Sequence, residues 1–162
     1  KTINVSWTGV DGLRVGGSYT MNNAPIFDDE GNSIHKLGVD LMELNSTYSK
    51  NNIHTVFEYG TVSYDCNSCN NGAAVSSSSS GYYLDLGYNL GSAMKMGATL
   101  IPWIRVSSYA MDDDDDATTT DVMLFGVMYK PNSNVSFKLD MGKSETNDNE
   151  TDIFALGIGY MF

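Results

Sequence analysis

From one end of the chain to the other, short segments repeat a single pattern in which apolar and polar residues alternate position by position. Side chains on a β-strand point alternately to the two faces of a sheet, so this period marks a strand with one apolar face. Ile3, Val5 and Trp7 alternate with Asn4, Ser6 and Thr8, and Leu13, Val15, Tyr19 and Met21 with Arg14, Gly16, Ser18 and Thr20. Further along, Phe57 and Tyr59 oppose His54 and Glu58, and Tyr82, Leu84, Leu86, Tyr88 and Leu90 oppose Asp85 and Asn89. Leu100, Ile104 and Val106 oppose Thr99, Arg105 and Ser107, and Val135, Phe137, Leu139 and Met141 oppose Ser136, Lys138 and Asp140. The last residues place Phe154, Leu156, Ile158, Tyr160 and Phe162 on one face. Residues 121–130 are apolar on both faces. Around residues 34–44 the alternation conflicts with itself, because Asp40 inside would put Glu43 outside. A bulge or an extension of the strand near Gly38 resolves this, with Met42, Leu44 and Tyr48 outward and Glu43 and Asn45 inward. The pattern predicts an all-β chain of about nine strands.

Composition supports that class. Sixteen glycines, ten tyrosines and only three prolines accompany many Ser, Thr and Asn residues; Gly, Ser and Asn disfavour helix interiors, whereas Tyr, Thr and Val suit strands. A net charge of −11 argues against a nucleic-acid partner, which requires a basic face. No window approaches the roughly 18 apolar residues of a spanning helix.

The connectors decide what the apolar face meets. Those near Asp11, Asn51, Lys95 and Pro131 are short turn sequences, and those at about 25–33, 65–80, 111–118 and 144–150 are longer and polar. Lys50, Lys95 and Lys130 sit in the short set, and the run Asp112 to Asp116 sits in the long set. A transmembrane β-barrel sorts its connectors in this way, with short periplasmic turns and long extracellular loops. Tyr and Trp at strand ends fit its interfacial girdles. The expected fold is therefore a transmembrane antiparallel β-barrel occupying residues 1–162. The second face, with Arg14, Glu43, Glu58, Asp85, Arg105, Lys138 and Asp140, would line an aqueous lumen.

A final strand with apolar residues at every second position, Tyr160 near its end and Phe162 last, resembles the assembly signal of Gram-negative outer-membrane barrels. The segments GLRVGGSYTM, SGYYLDLGYNL, IPWIRVSSY and VMYKPNSNVSFKLDMGKSE, in that order, resemble the C-terminal half of porins of the phosphate-selective (O/P-type) superfamily. The resemblance implies a location in the outer membrane, contact with its lipid, and recognition of the last strand by the barrel-assembly machinery. It also implies a homotrimer and a parent barrel of roughly sixteen strands. A count of nine strands agrees with its being the C-terminal portion of such a barrel, since single-chain bacterial barrels have an even number. The alternative is an eight-stranded barrel with the residues before Gly12 as a periplasmic lead-in, against which Trp7 within an alternating run argues.

Other candidates for chemistry are few. Cys66 and Cys69 form a CxxC in a Ser- and Asn-rich stretch without a second metal-ligand pair, which reads as a small loop disulfide. The run Asp112 to Asp116 reads as a solvated, mobile acidic loop, with weak divalent binding at Asp112, Asp114 and Asp116 as its functional form. His35 and His54 have no neighbouring nucleophile and no GxSxG occurs. Asp85, His54 and a serine could form a trio, but nothing in the sequence points to them, and Ser76 to Ser80 read as loop, so enzyme activity and a cofactor are not expected. The expected function is passive diffusion of ions and small hydrophilic solutes, weakly favouring cations because of the acidic loops. The alternative is a structural or surface-interaction barrel whose long acidic loops bind a partner. Two arginines in the whole chain are too few for phosphate selectivity, which needs clustered Arg or Lys.

Overall fold

The computed structural model describes residues 1–27, 29–65 and 77–162. The strands are β1 (Thr2–Val10), β2 (Leu13–Phe27), β3 (Ser33–Lys50), β4 (Ile53–Asp65), β5 (Ser78–Tyr88), β6 (Thr99–Ala110), β7 (Thr119–Asn132), β8 (Val135–Thr146) and β9 (Asn149–Tyr160). Each pairs antiparallel with its neighbours in sequence, giving one 9-stranded meander. The expected all-β, antiparallel architecture and strand number are met. The sheet is open: β1 has only β2 beside it and β9 only β8.

Directly opposed residues of an antiparallel pair share a face, so the register assigns each side chain. Asp85 opposes Arg105, Glu58 opposes Tyr83, and Glu43 opposes Ser18. On the other face Ile104 opposes Phe125, which opposes Met141, which opposes Phe154. Among the described residues no second layer covers that apolar face. Phe125 is 51% exposed although strands flank it on both sides. Among the described residues only Ile101 and Thr120 are buried side chains of note. A chain of this length ordinarily packs two layers around a core; this one is a single layer. The polar face curls, because one trough of about 490 Å³ is lined by side chains from β4 through β8.

Several local expectations change. β3 runs without interruption against β4 from Gly38 to Lys50, so there is no bulge near Gly38. Of the two alternatives, the extended strand holds: β3 is 18 residues long, and its irregularity against β2 lies beside Ile26 and Phe27. Met42, Leu44 and Tyr48 are outward and Glu43 and Asn45 inward, as expected, while Asp40 is outward. It opposes Met21 and accepts a hydrogen bond from the Tyr19 hydroxyl at 3.1 Å. The supposed long connector at 144–150 is a two-residue turn. Asn147 and Asp148 have φ of 44° and 64°, the backbone of a type I′ hairpin, for which Asn and Asp are suited. Conversely, the short connector around Lys95 contains a helical turn, α1 (Leu90–Ala93), so Leu90 is not on β5. Ser78, Ser79 and Ser80 belong to β5 rather than to a loop, and Phe162 lies beyond β9. The sorting of connectors by end is therefore partial.

Candidate functional site

The polar face is organised by cross-strand pairs. Asp85 and Arg105 oppose each other on β5 and β6, and the guanidinium donates from Nε and Nη2 to the two carboxylate oxygens at 2.6 Å each. This fork geometry uses both oxygens of the carboxylate. Arg105 also lies over the Tyr83 ring at 4.6 Å, and the Tyr83 hydroxyl donates to Glu58 at 2.9 Å. The four side chains form a chain of contacts across β4, β5 and β6.

A second group adjoins it. Trp103 on β6 opposes Gly126 on β7, which opposes Asp140 on β8. The glycine is required here, since a Cβ at position 126 would overlap the indole. The ring thus lies down across β7 toward β8, where the Lys138 ammonium sits over it at 4.5 Å and pairs with Asp140 at 3.0 Å. Such a cation over an indole face is attracted by the ring quadrupole. The Trp103 Nε1 and the Asp140 Oδ1 are both buried without a hydrogen-bond partner among the described residues. Further from the trough, Glu43 accepts from Ser18 at 3.1 Å and from the Asn45 amide at 2.7 Å.

All seven residues expected on the polar face lie there by register: Arg14, Glu43, Glu58, Asp85, Arg105, Lys138 and Asp140. Four of them form two ion pairs, Asp85 with Arg105 and Asp140 with Lys138. Arg14 opposes Thr47 and makes no ion pair among the described residues. Tyr83 and Trp103 are the contributors that the sequence reading passed over. Parity signals both, because each stands two positions from a charged inward residue, Asp85 and Arg105. The face is also less uniformly polar than expected, since Val56, Ile101, Leu124 and Met128 share it.

The acidic connector between β6 and β7 is not a free loop. Ser77 donates to Asp114 at 2.8 Å, Ser80 to Asp113 at 2.7 Å, and the Asp113 backbone N–H to the Ser78 carbonyl at 3.0 Å. Asp112 and Asp115 accept from backbone N–H groups of their own connector. Hydroxyls of Ser78 and Ser80 hold the Asp113 carboxyl below the ordinary carboxylate range. Four of the five carboxylates accept from different partners, and among the described residues no three His, Cys, Asp or Glu side chains converge as metal ligands would. His54 faces the trough with its Nδ1 3.0 Å from the Ser49 hydroxyl. Cys66 and Cys69 lie outside the described residues. No protein-family model and no curated protein matches the chain.

Proposed function

We propose that this chain is part of the wall of an outer-membrane porin, through which ions and small hydrophilic solutes diffuse passively. The observation that carries the reading is the single layer. Large apolar side chains of the inner strands, such as Leu86, Val106, Met123, Phe125 and Met141, are 41–51% exposed on one continuous face. Taking on the order of 70 Å² from each such residue, that face exposes roughly 1,000 Å² of apolar surface, beyond the few hundred usual on a soluble monomer. Hydrocarbon is the medium such a face suits, and the curled, ion-paired face suits enclosed water.

The open edges support a larger barrel. β1 and β9 run in the same direction, as odd members of an antiparallel meander. Joining them directly would make a parallel pair, so antiparallel closure takes an odd number of further strands. About seven would complete the roughly sixteen of the porins that the chain resembles. By the same resemblance, β9 with Phe154, Leu156, Ile158 and Tyr160, followed by Phe162, is the element the assembly machinery reads, and the barrel is a trimer in the outer membrane. The surplus of acid in the long connectors biases small ions weakly toward cations.

Planar-bilayer recording tests the proposal. Stepwise conductance from the closed barrel, refolded with the strands that complete this sheet, and a reversal potential shifted slightly toward cations in a salt gradient are the expected results. A folded, membrane-inserted preparation that passes no current would refute it.

A further inference from the structure

We propose that the trough on the polar face is a binding site for a small organic carboxylate with an apolar body. The proposal rests on the reading of this face as the water-bearing one and adds the class of solute detained there.

The first observation is an apolar floor. Val56, Ile101 and Met128 line the trough beside Trp103, gathering apolar side chains on a face that also carries Ser, Thr, Gly and charged residues. Ile101 is 8% exposed, the one buried hydrophobic side chain among the described residues. Ile101 gains from its own packing, but in a wall that only has to stay wet the half-buried Val56 and Met128 gain nothing from being apolar. A solute that lays hydrocarbon on them removes apolar surface from water on both sides, as in ordinary ligand pockets.

The second observation is charge. Arg105, Lys130 and Lys138 line the trough, and Asp85 is the only carboxylate that does. Asp85 is committed to Arg105, and Lys138 to Asp140 and the Trp103 ring. Lys130 makes no ion pair among the described residues. The trough therefore carries one uncommitted positive charge in a chain of net charge −11.

The acidic connector does not reverse that local sign. On β6 the trough extends from Thr99, opposite Lys130, to Arg105, and the strand ends at Ala110 next to that connector. At ~3.3 Å per residue Thr99 is roughly 36 Å and Arg105 roughly 17 Å from Ala110, both beyond the ~8 Å over which physiological salt screens charge. A small, densely hydrated anion needs several donors to replace its water. One free ammonium beside an apolar floor suits a carboxylate attached to hydrocarbon better.

The chain has two tryptophans, and Trp7 lies on the opposite face, so Trp7→Phe leaves Trp103 as the sole reporter. In phosphatidylcholine vesicles, hexanoate should shift Trp103 emission saturably. Hexanol, hexylamine and inorganic phosphate at the same concentrations should not. Lys130→Gln should weaken the hexanoate response about tenfold, the loss of one charge-assisted contact, and Lys130→Arg should retain it. Equal responses to hexanol or hexylamine would overturn the charge argument, and an equal response to phosphate would overturn the apolar one. A hexanoate response unchanged in Lys130→Gln would overturn the assignment to this trough. Bilayer conductance is read separately: a silent channel with an intact hexanoate titration sinks the porin reading alone. A conducting channel with no titration sinks this site alone.

Discussion

Phe125 offers the sharpest test of what the apolar face meets. It lies at the middle of β7 with Ile104 and Met141 directly opposite on either side, yet half of it, 51%, is exposed. A phenylalanine carries about 200 Å² of side-chain surface, so roughly 100 Å² faces away from the sheet. Covered by lipid, that area is worth ~2.5 kcal/mol at ~25 cal/mol per Å², and the ring is lost with it when Lys is substituted. A lysine at the bilayer midplane adds a cost of about 2–4 kcal/mol. Phe125→Lys should therefore destabilise the protein by several kcal/mol. In water the same exposed position would tolerate lysine within about 0.5 kcal/mol. The assay is reversible urea unfolding in phospholipid vesicles, followed by tryptophan emission. Asp121→Lys, outward on the same strand but near its end, serves as the control, because the cost of a charge falls to about 0–1 kcal/mol near the interface. If both variants unfold at the wild-type urea concentration, the apolar face is not in hydrocarbon and the reasoning fails.

Other outcomes follow from the polar face and its connector. Gly126→Ala should displace the Trp103 indole, costing about 1–3 kcal/mol as overpacking does and shifting tryptophan emission; Trp103→Leu in the same chain should remove most of that cost. Asp85→Asn should destabilise by about 1–2 kcal/mol, since the pair is partly exposed, and Asp85→Asn with Arg105→Gln should cost less than the two single changes added. The Asp113 carboxyl is held below its ordinary value by Ser78 and Ser80. Its contribution is therefore complete above the unfolded-state value and disappears only as pH falls through the depressed folded-state value. NMR titration of the aspartate carboxyl carbons should show Asp113 protonating at lower pH than an unperturbed aspartate, and Ser80→Ala should move it upward. Without lipid or detergent, the chain should fail to give a cooperative thermal transition by circular dichroism.

Much of the sheet was legible because period two is a property of the backbone and survives any environment. Once Asp85 is placed inward, Tyr83 and Gly87 follow, and the register of β5 against β6 sets Asp85 opposite Arg105 without any knowledge of what lies beyond the sheet. What resisted were features that period two does not encode. The hairpin at Asn147 and Asp148 looked like a loop because its flanks, Ser144 to Thr146 and Asn149 to Thr151, are as polar as loop residues. They are strand residues past the apolar band, where alternation loses its apolar half. The serines at 78–80 were hidden in the same way. Parity with Arg105 places Trp103 on the inner face but does not say how its ring lies. Only Gly126, on the neighbouring strand, reveals that the ring lies down over the sheet on the inner face. That signal is a pairing between strands, and it becomes visible only when the register is known.

The single layer also changes what holds such a chain in one structure. In a two-layer domain, hydrophobic burial within the chain offsets the backbone entropy of folding. Here the apolar faces meet nothing of the chain's own, so internal order rests on the ladder of backbone hydrogen bonds and on side-chain pairs such as Asp85 with Arg105. Backbone groups at the outer edges of β1 and β9 lack even a ladder partner, and in hydrocarbon every unsatisfied group of that kind is costly. The medium that would reward the apolar face is therefore the medium that penalises the open edges. In the proposed porin both demands are met together, by strands that continue the sheet on both sides, so that under that reading the exposed face and the open edges have one explanation rather than two.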